Sequence, residues 1–445
     1  MSAPEIAEDL LSDVVRIAQS LIRIDTSNFG GGRAEPESVA ADLVEELLAE
    51  VGLQCHRFEA EPGRTNLIAR WSGTDPAAPA LLLHGHLDVV PADPSTWTVP
   101  PFAGVIRDGM LWGRGAIDMK NMVAMIVATV RAMIRNGERP DRDVVLAFFA
   151  DEEAGCTLGS KWMVANHPEQ FAGVGYALGE GGGYSVSIGD RRGYLMNTGE
   201  KGLLWIRLRS RGRAGHASLP NDDSAIQALA AAVVRVGAVD WPITMTDTTS
   251  ALLQRLRELT NAPETVPPLV LADAVGLSAT RIRAGMQNVA NVTIIAGGYK
   301  ENVVPEAASA LIDIRFLPGQ RDIVLDRIRE AVGPEIELDI EMEMAALESP
   351  FEGELVDAVR AAVAEHDSDA VVLPHLIPGG TDGRPLSALG LRAYGFIPLL
   401  LHADFNFPGM FHGVDERVPL TALQFGQDVL TSVVRRFGKG SEATR

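Results

Sequence analysis

The sequence predicts an α/β protein: a mixed, mostly parallel sheet flanked by helices, interrupted by a smaller α+β domain of ferredoxin-like arrangement. Three observations predict it. Between residues 81 and about 180, short aliphatic runs alternate with helical patterns. At 201–210 the pattern switches to alternation, with Leu204, Ile206 and Leu208 set against Trp205, Arg207 and Arg209, the period of a half-exposed antiparallel strand. From about residue 346 the chain reads as α/β again, so the smaller domain is inserted rather than appended.

Taken in order, Ala80 to Leu83 reads as a buried strand and Met119 to Arg135 as a helix with a continuous apolar face. Gly137 follows where a left-handed helix cap is expected. Val144 to Phe149 is a second β-rich apolar run. The insertion begins near Glu200, with a strand at 203–210, a helix at 224–236, strands near 291–298 and 307–316, a helix at 321–331 and a strand near 336–343. That order is β-α-β-β-α-β. Within it, 240–290 is rich in Pro, Thr and Leu, and no periodicity assigns its structure. A helix over 355–364 belongs to the C-terminal part. The expected division is 1–199 and 346–445 for the larger domain and 200–345 for the inserted one. The last few residues read as a loose tail.

A chain of 445 residues buries a sizeable core without disulfide staples. Its two cysteines, Cys55 and Cys156, follow no metal-ligand spacing, so a disulfide scaffold and a cysteine-based zinc module are excluded. Met1 to Glu8 is polar and acidic, and the amphipathic run after it (Leu10, Leu11, Val14, Val15, Ile17) lacks the basic start and unbroken apolar stretch of a signal peptide. No window approaches the roughly 18 consecutive apolar residues of a membrane span. The expectation is a soluble, cytoplasmic protein. With 39 basic against 59 acidic residues, the net charge of −20 repels phosphate backbones and argues against a nucleic-acid partner. The acidic excess serves solubility, or some of it is gathered to hold cations.

Five motifs separate those readings. In Leu82-Leu83-His84-Gly85-His86-Leu87-Asp88, strand alternation sets His84, His86 and Asp88 on one side, at the end where α/β sheets place ligands. A carboxylate on the second ring nitrogen suits a metal-binding imidazole, although a core histidine bonded to aspartate looks the same. Asp118 stands where the turn Gly113-Arg114-Gly115 enters the long helix; it can cap that helix or bridge two cations. Asp151-Glu152-Glu153 leaves a buried strand as three adjacent acids, which repel one another unless positive charge is near or the loop is solvated. Glu180 is a single acid among glycines, and His412 lies in Phe411-His412-Gly413-Val414-Asp415-Glu416. Each alone fits a structural role.

Their order together resembles the co-catalytic dizinc amidohydrolase and peptidase family of aminoacylase, succinyl-diaminopimelate desuccinylase, acetylornithine deacetylase and glutamate carboxypeptidase. The resemblance runs from about 80 to 420 and implies a zinc-peptidase-like catalytic domain with an inserted lid or dimerisation domain. Residue by residue, it implies that His86, Asp118 and Glu180 hold one Zn²⁺, and that Asp118, Glu153 and His412 hold the other. Asp118 would then bridge, with Asp88 supporting His86 and Glu152 as general acid and base. Co²⁺ or Mn²⁺ suits the same ligands. The bond after Asp118 is often cis in this family. His84 falls outside the ligand pattern and reads as a core or supporting residue, and the role of His375 is left open.

The resemblance extends to the insertion. Arg213-Ala214-Gly215-His216 is similar to the lid motif whose histidine, here His216, helps stabilise the oxyanion, in dimeric members from the partner subunit. By the same resemblance Asn302 assists the oxyanion and Arg315 grips the substrate carboxylate. Gly379-Gly380-Thr381-Asp382-Gly383-Arg384 corresponds to the substrate loop, placing Gly380, Thr381 and Arg384 near the carboxylate, although the segment also fits a plain turn with Asp382 and Arg384 paired. The aliphatic run Phe396 to Leu401 reads as an apolar pocket wall. The resemblance thus implies hydrolysis of an amide in an N-acyl amino acid or short peptide with a free carboxylate. An N-carbamoyl-amino-acid amidohydrolase, or a desuccinylase or deacetylase, is the neighbouring alternative. Glu180 favours this side of the family, since aminopeptidase-type members tend to have Asp there. A dimetal phosphoesterase is disfavoured by the lid motifs, and a non-catalytic metal binder by the retention of Glu152.

Overall fold

The computed structural model describes residues 11–438. The polar start, Leu10 and the expected tail lie outside the described residues. The larger sheet is mixed. Its centre is parallel: Ala80–His86 lies between Val144–Phe149 and Val174–Gly179, and Arg392–Gly395 continues beyond Val174–Gly179. Antiparallel strands flank that centre. Thr65–Trp71 and Cys55–Glu59 extend one side, while Arg191–Glu200 and Ser185–Ile188 extend the other, and Val371–Ile377 runs parallel to Arg191–Glu200.

The helix Lys120–Arg135 packs under this sheet with Asp13–Ile22 and Leu420–Arg436, and nearly all its residues are buried. A helix whose middle, Met122 to Val130, is apolar but for Thr129 belongs in such an interior. Gly137 has a φ of 72° and closes the helix as expected. At the other end Lys120 is fully buried, and its ammonium donates to the carbonyls of Leu21 (3.0 Å) and Ile24 (2.6 Å), the last turn of a neighbouring helix.

A four-stranded antiparallel sheet forms separately, in the order Val289–Gly297, Ala307–Phe316, Gly202–Arg211, Glu337–Met344. Leu204, Ile206 and Leu208 face the helices Ala225–Gly237 and Arg321–Val332 in a cluster of its own. This is the ferredoxin-like strand order.

The unassigned segment 240–290 is helical. Thr246 caps Asp247–Thr260 through a reciprocal bond with Thr249, and the shorter helices Pro268–Leu271 and Ala279–Ala284 follow. Leu252, Leu253, Leu256, Leu271, Ile282 and Met286 join the hydrophobic cluster of the larger sheet, not that of the four-stranded one. Sequence position therefore misleads here: the segment leaves the insertion and packs on Val371–Ile377. Phe396, Ile397 and Leu399, expected to wall a pocket, are buried in the same large cluster. Leu256 is fully buried, so Leu256→Ala should cost about 2–5 kcal/mol. Urea unfolding followed at the larger domain checks this, and an unchanged midpoint would contradict the packing.

Candidate metal centre

Three parallel strands end on one edge of the sheet, the edge where α/β folds place ligands. His86 closes the first, Glu152 and Glu153 follow the second in a short 3-10 turn, and Glu180 follows the third. His86 Nε2 lies 3.3 Å from Asp118 Oδ1 and 3.8 Å from Glu180 Oε2. His412 Nε2 lies 3.2 Å from Asp118 Oδ2 and 3.2 Å from Glu153 Oε2. Two triplets thus converge, His86-Asp118-Glu180 and Asp118-Glu153-His412, and Asp118 offers one oxygen to each.

Asp118 is not a helix cap: Met119 holds that position and the bond between them is cis. What fixes Asp118 is Glu416, a residue whose role the sequence reading missed. The buried Glu416 carboxylate accepts the backbone N–H of Gly115 (3.1 Å), Ile117 (2.7 Å) and Asp118 (3.2 Å), and the Arg114 guanidinium at 2.6 Å. Arg114 also donates to the carbonyl of Gly413 at 3.0 Å. One ion pair therefore ties the turn carrying Asp118 to the loop carrying His412.

Asp88 performs the same service for the acidic turn. Its carboxylate accepts the backbone N–H of Glu152 and of Glu153, both at 3.1 Å, and the Asn28 amide at 2.9 Å. His86 Nδ1 is closer to the Asp88 carbonyl (2.9 Å) than to its carboxylate (3.4 Å), so the main chain orients the imidazole. Asp151, with a φ of 64°, is buried and pairs with Arg64, which also holds Glu37 in a two-pronged ion pair. The three acids do not form a solvated loop.

The donor set fits divalent cations. Carboxylates outnumber imidazoles here: Asp88, Asp118 and Glu180 stand around His86, and Asp118 and Glu153 around His412. Burial, with Asp118 and Asp382 nearby, pushes Glu180 up to about 8, and burial with the Glu180 charge pushes Glu152 well above the usual carboxylate range. Glu153 Oε1 is buried and has no hydrogen-bond partner. Imidazole and carboxylate oxygens with such an orphaned acceptor are what Zn²⁺ or a similar ion would satisfy.

Comparison with known proteins gives the family of the chain. The model of the peptidase family M20/M25/M40 matches residues 82–436. The chain belongs to this family. Succinyl-diaminopimelate desuccinylase of Paracoccus denitrificans is 30% identical over 416 residues, covering 90% of this chain and 94% of that one. Aminoacylase-1 of Sus scrofa is 27% identical over 420 residues, covering 90% of each. Among solved structures, an M20 family metallo-carboxypeptidase from Sulfolobus solfataricus superposes with a TM-score of 0.72 at 17% identity, covering 96% of this chain and 99% of that one. The M20 family is one of hydrolases, and this chain carries two candidate ligand groups for metal ions. No helix among the described residues is long and apolar enough to cross a membrane.

The remaining predicted residues of this M20 chain fall into two groups. Thr381 lies on the larger domain, where its N–H (2.9 Å) and hydroxyl (2.6 Å) donate to the buried Glu200. Arg384 pairs with the same Glu200 at 3.2 Å, and Asp382 accepts from Ser160. The alternative of a plain turn with Asp382 and Arg384 paired is not what forms: Glu200, which also accepts from Asn197, takes the arginine. A Cβ at Gly380 would lie 1.0 Å from an Arg384 guanidinium nitrogen, so a side chain there would have to displace that guanidinium. His216 lies on the two-stranded ribbon of Gly215–His216 with Val303–Val304 and Asn302 immediately before it, both exposed. The Ala217 N–H donates to the Asn302 carbonyl, and the His216 side chain bonds only with Ser218 among the described residues. Neither reaches the carboxylate–imidazole cluster by a hydrogen bond. Arg315 is bound at 2.6 and 3.0 Å to Asp313. His84 is fully buried against Phe149 and Gly179 without a polar partner, a core histidine.

Glu416→Gln should weaken metal affinity about 10–100-fold, because an amide group cannot accept every N–H that orients Asp118. Competition with a chromogenic chelator measures it, and unchanged affinity would remove Glu416 from the support of Asp118.

Proposed function

We propose that this protein hydrolyses an amide bond in an N-acyl amino acid or short peptide bearing a free carboxylate, with two Zn²⁺ per chain. The observation that carries the reading is the division of Asp118 between two ligand triplets, beside a glutamate that belongs to neither. His86 and Glu180 would hold one ion, Glu153 and His412 the other, with Asp118 shared. A cation pair in such a site supplies Lewis acidity toward a carbonyl oxygen and toward water.

Glu152 does the proton work. It shares the turn with Glu153, yet among the described residues it forms no ion pair with an imidazole, whereas Glu153 pairs with His412. A carboxyl whose pKa is raised by burial is suited to take a proton from water and return it to the departing amine. His216 and Asn302 are the oxyanion donors in this reading, and they would act from the insertion, in a homodimer from the partner copy. N-succinyl substrates are the second arm, favoured by the 30% identity to a desuccinylase.

Glu152→Gln should retain metal and lose about 10²–10⁴-fold in turnover on a panel of N-acetyl, N-succinyl and N-carbamoyl amino acids and dipeptides. Chelator should abolish turnover in the wild type and Zn²⁺ restore it. Full activity in Glu152→Gln would remove that residue from the mechanism. His216→Ala should lose turnover with metal content intact, and mixing it with Glu152→Gln should restore activity if the histidine acts across a dimer. No recovery on mixing would place His216 in its own chain's reaction.

A further inference from the structure

The helical segment 240–290 brings a charge beside the loop that carries His412, and the reaction above does not use it. Arg281, in the helix Ala279–Ala284, is half-buried, and its guanidinium carbon lies 4.3 Å from the ring centroid of Phe411. Phe411 immediately precedes His412. No carboxylate pairs with Arg281 among the described residues. The arginines expected to hold substrate differ in this respect, since Arg315 is neutralised by Asp313 and Arg384 by Glu200. A half-buried guanidinium without a counter-ion keeps its full capacity for an anion.

A second, independent feature borders the same place. His375 is 1% exposed, and neither ring nitrogen has a hydrogen-bond partner. The Arg281 charge adds to burial in holding it neutral, so one ring nitrogen carries an unused N–H. His375 is in register with Asn197 on the adjacent strand, and a Cβ on Gly181 would lie 2.7 Å from the Asn197 amide. These strands therefore border the turn that follows Glu180. Phe411, Phe407 and Tyr184 form a chain of ring contacts along the remaining side, at 5.1 and 4.7 Å. From this arrangement we infer that Arg281, with His375, forms a carboxylate-binding subsite lying between the loop of His412 and the turn of Glu180. It rests on the amide-hydrolase reading for the identity of its ligand as substrate. The carboxylate comes either from the amino acid released or from a dicarboxylic acyl group. Both present the same planar pair of oxygens that a guanidinium grips.

The test uses the zinc-loaded full chain and three probes: N-acetyl-L-methionine, N-acetyl-L-methioninamide and N-succinyl-L-methioninamide. Binding is measured by calorimetry in the Glu152→Gln background, and KM and kcat in the otherwise native chain. Arg281→Gln should weaken binding of carboxylate probes by about 10–100-fold, the loss of one charge-assisted pair, and raise KM far more than it lowers kcat. Arg281→Lys should recover part of the loss, and an unchanged thermal midpoint shows that both variants are folded. Loss confined to N-acetyl-L-methionine assigns the amino-acid carboxylate, and loss confined to N-succinyl-L-methioninamide assigns the acyl one. Equal loss on the neutral amide, no loss on any probe, or no carboxylate binding at all would overturn the subsite. If the native chain hydrolyses no amide while carboxylate binding still depends on Arg281, the subsite stands and the hydrolase reading falls.

Discussion

Asp118 is the constraint on which the site depends. Its two oxygens face two imidazoles that are distant in sequence, and both imidazoles also face a second carboxylate. Like charges packed this closely repel unless each is oriented by donors and shared with cations. The protein supplies the donors. Glu416 receives the backbone of the Asp118 turn, Asp88 receives the backbone of the Glu152–Glu153 turn, and Arg114 and Arg64 neutralise the acids behind them. The residues of the two triplets are thus fixed from behind by a layer of buried, hydrogen-bonded polar groups.

The sheet makes this arrangement possible. Parallel strands in the middle of the large sheet bring three chain ends to one edge, so His86, the acidic turn and Glu180 arrive together without any local sequence relation. The buried helix Lys120–Arg135 then holds Asp118 against that edge from below, anchored through Lys120 to the end of another helix. Stability of the core and geometry of the site are therefore carried by the same elements.

Much of this was legible in the sequence because it is local. Aliphatic runs marked the central strands, alternation marked the strand Gly202–Arg211, and the spacing of the five motifs identified residues that the fold brings together. What was not legible depends on distant packing. Glu416 reads as one acid in a polar loop until its hydrogen bonds to a turn some 300 positions earlier are known. Nothing in 240–290 reveals that its leucines belong to the larger core, because amphipathic helices carry no address. Asp382 and Arg384, two positions apart, could have paired in a plain turn, and a glutamate on another strand takes the arginine instead. Arg281 shows the same limit: a lone arginine becomes informative only when its neighbours are aromatic and lack a carboxylate.

The most direct measurement is anomalous diffraction at the zinc absorption edge from crystals grown with Zn²⁺. The account requires two peaks about 3.5–4 Å apart, one contacting His86 and Glu180, the other Glu153 and His412, with one oxygen of Asp118 on each. A single peak that leaves either triplet without an ion, or two ions with Asp118 bound to neither, would contradict it.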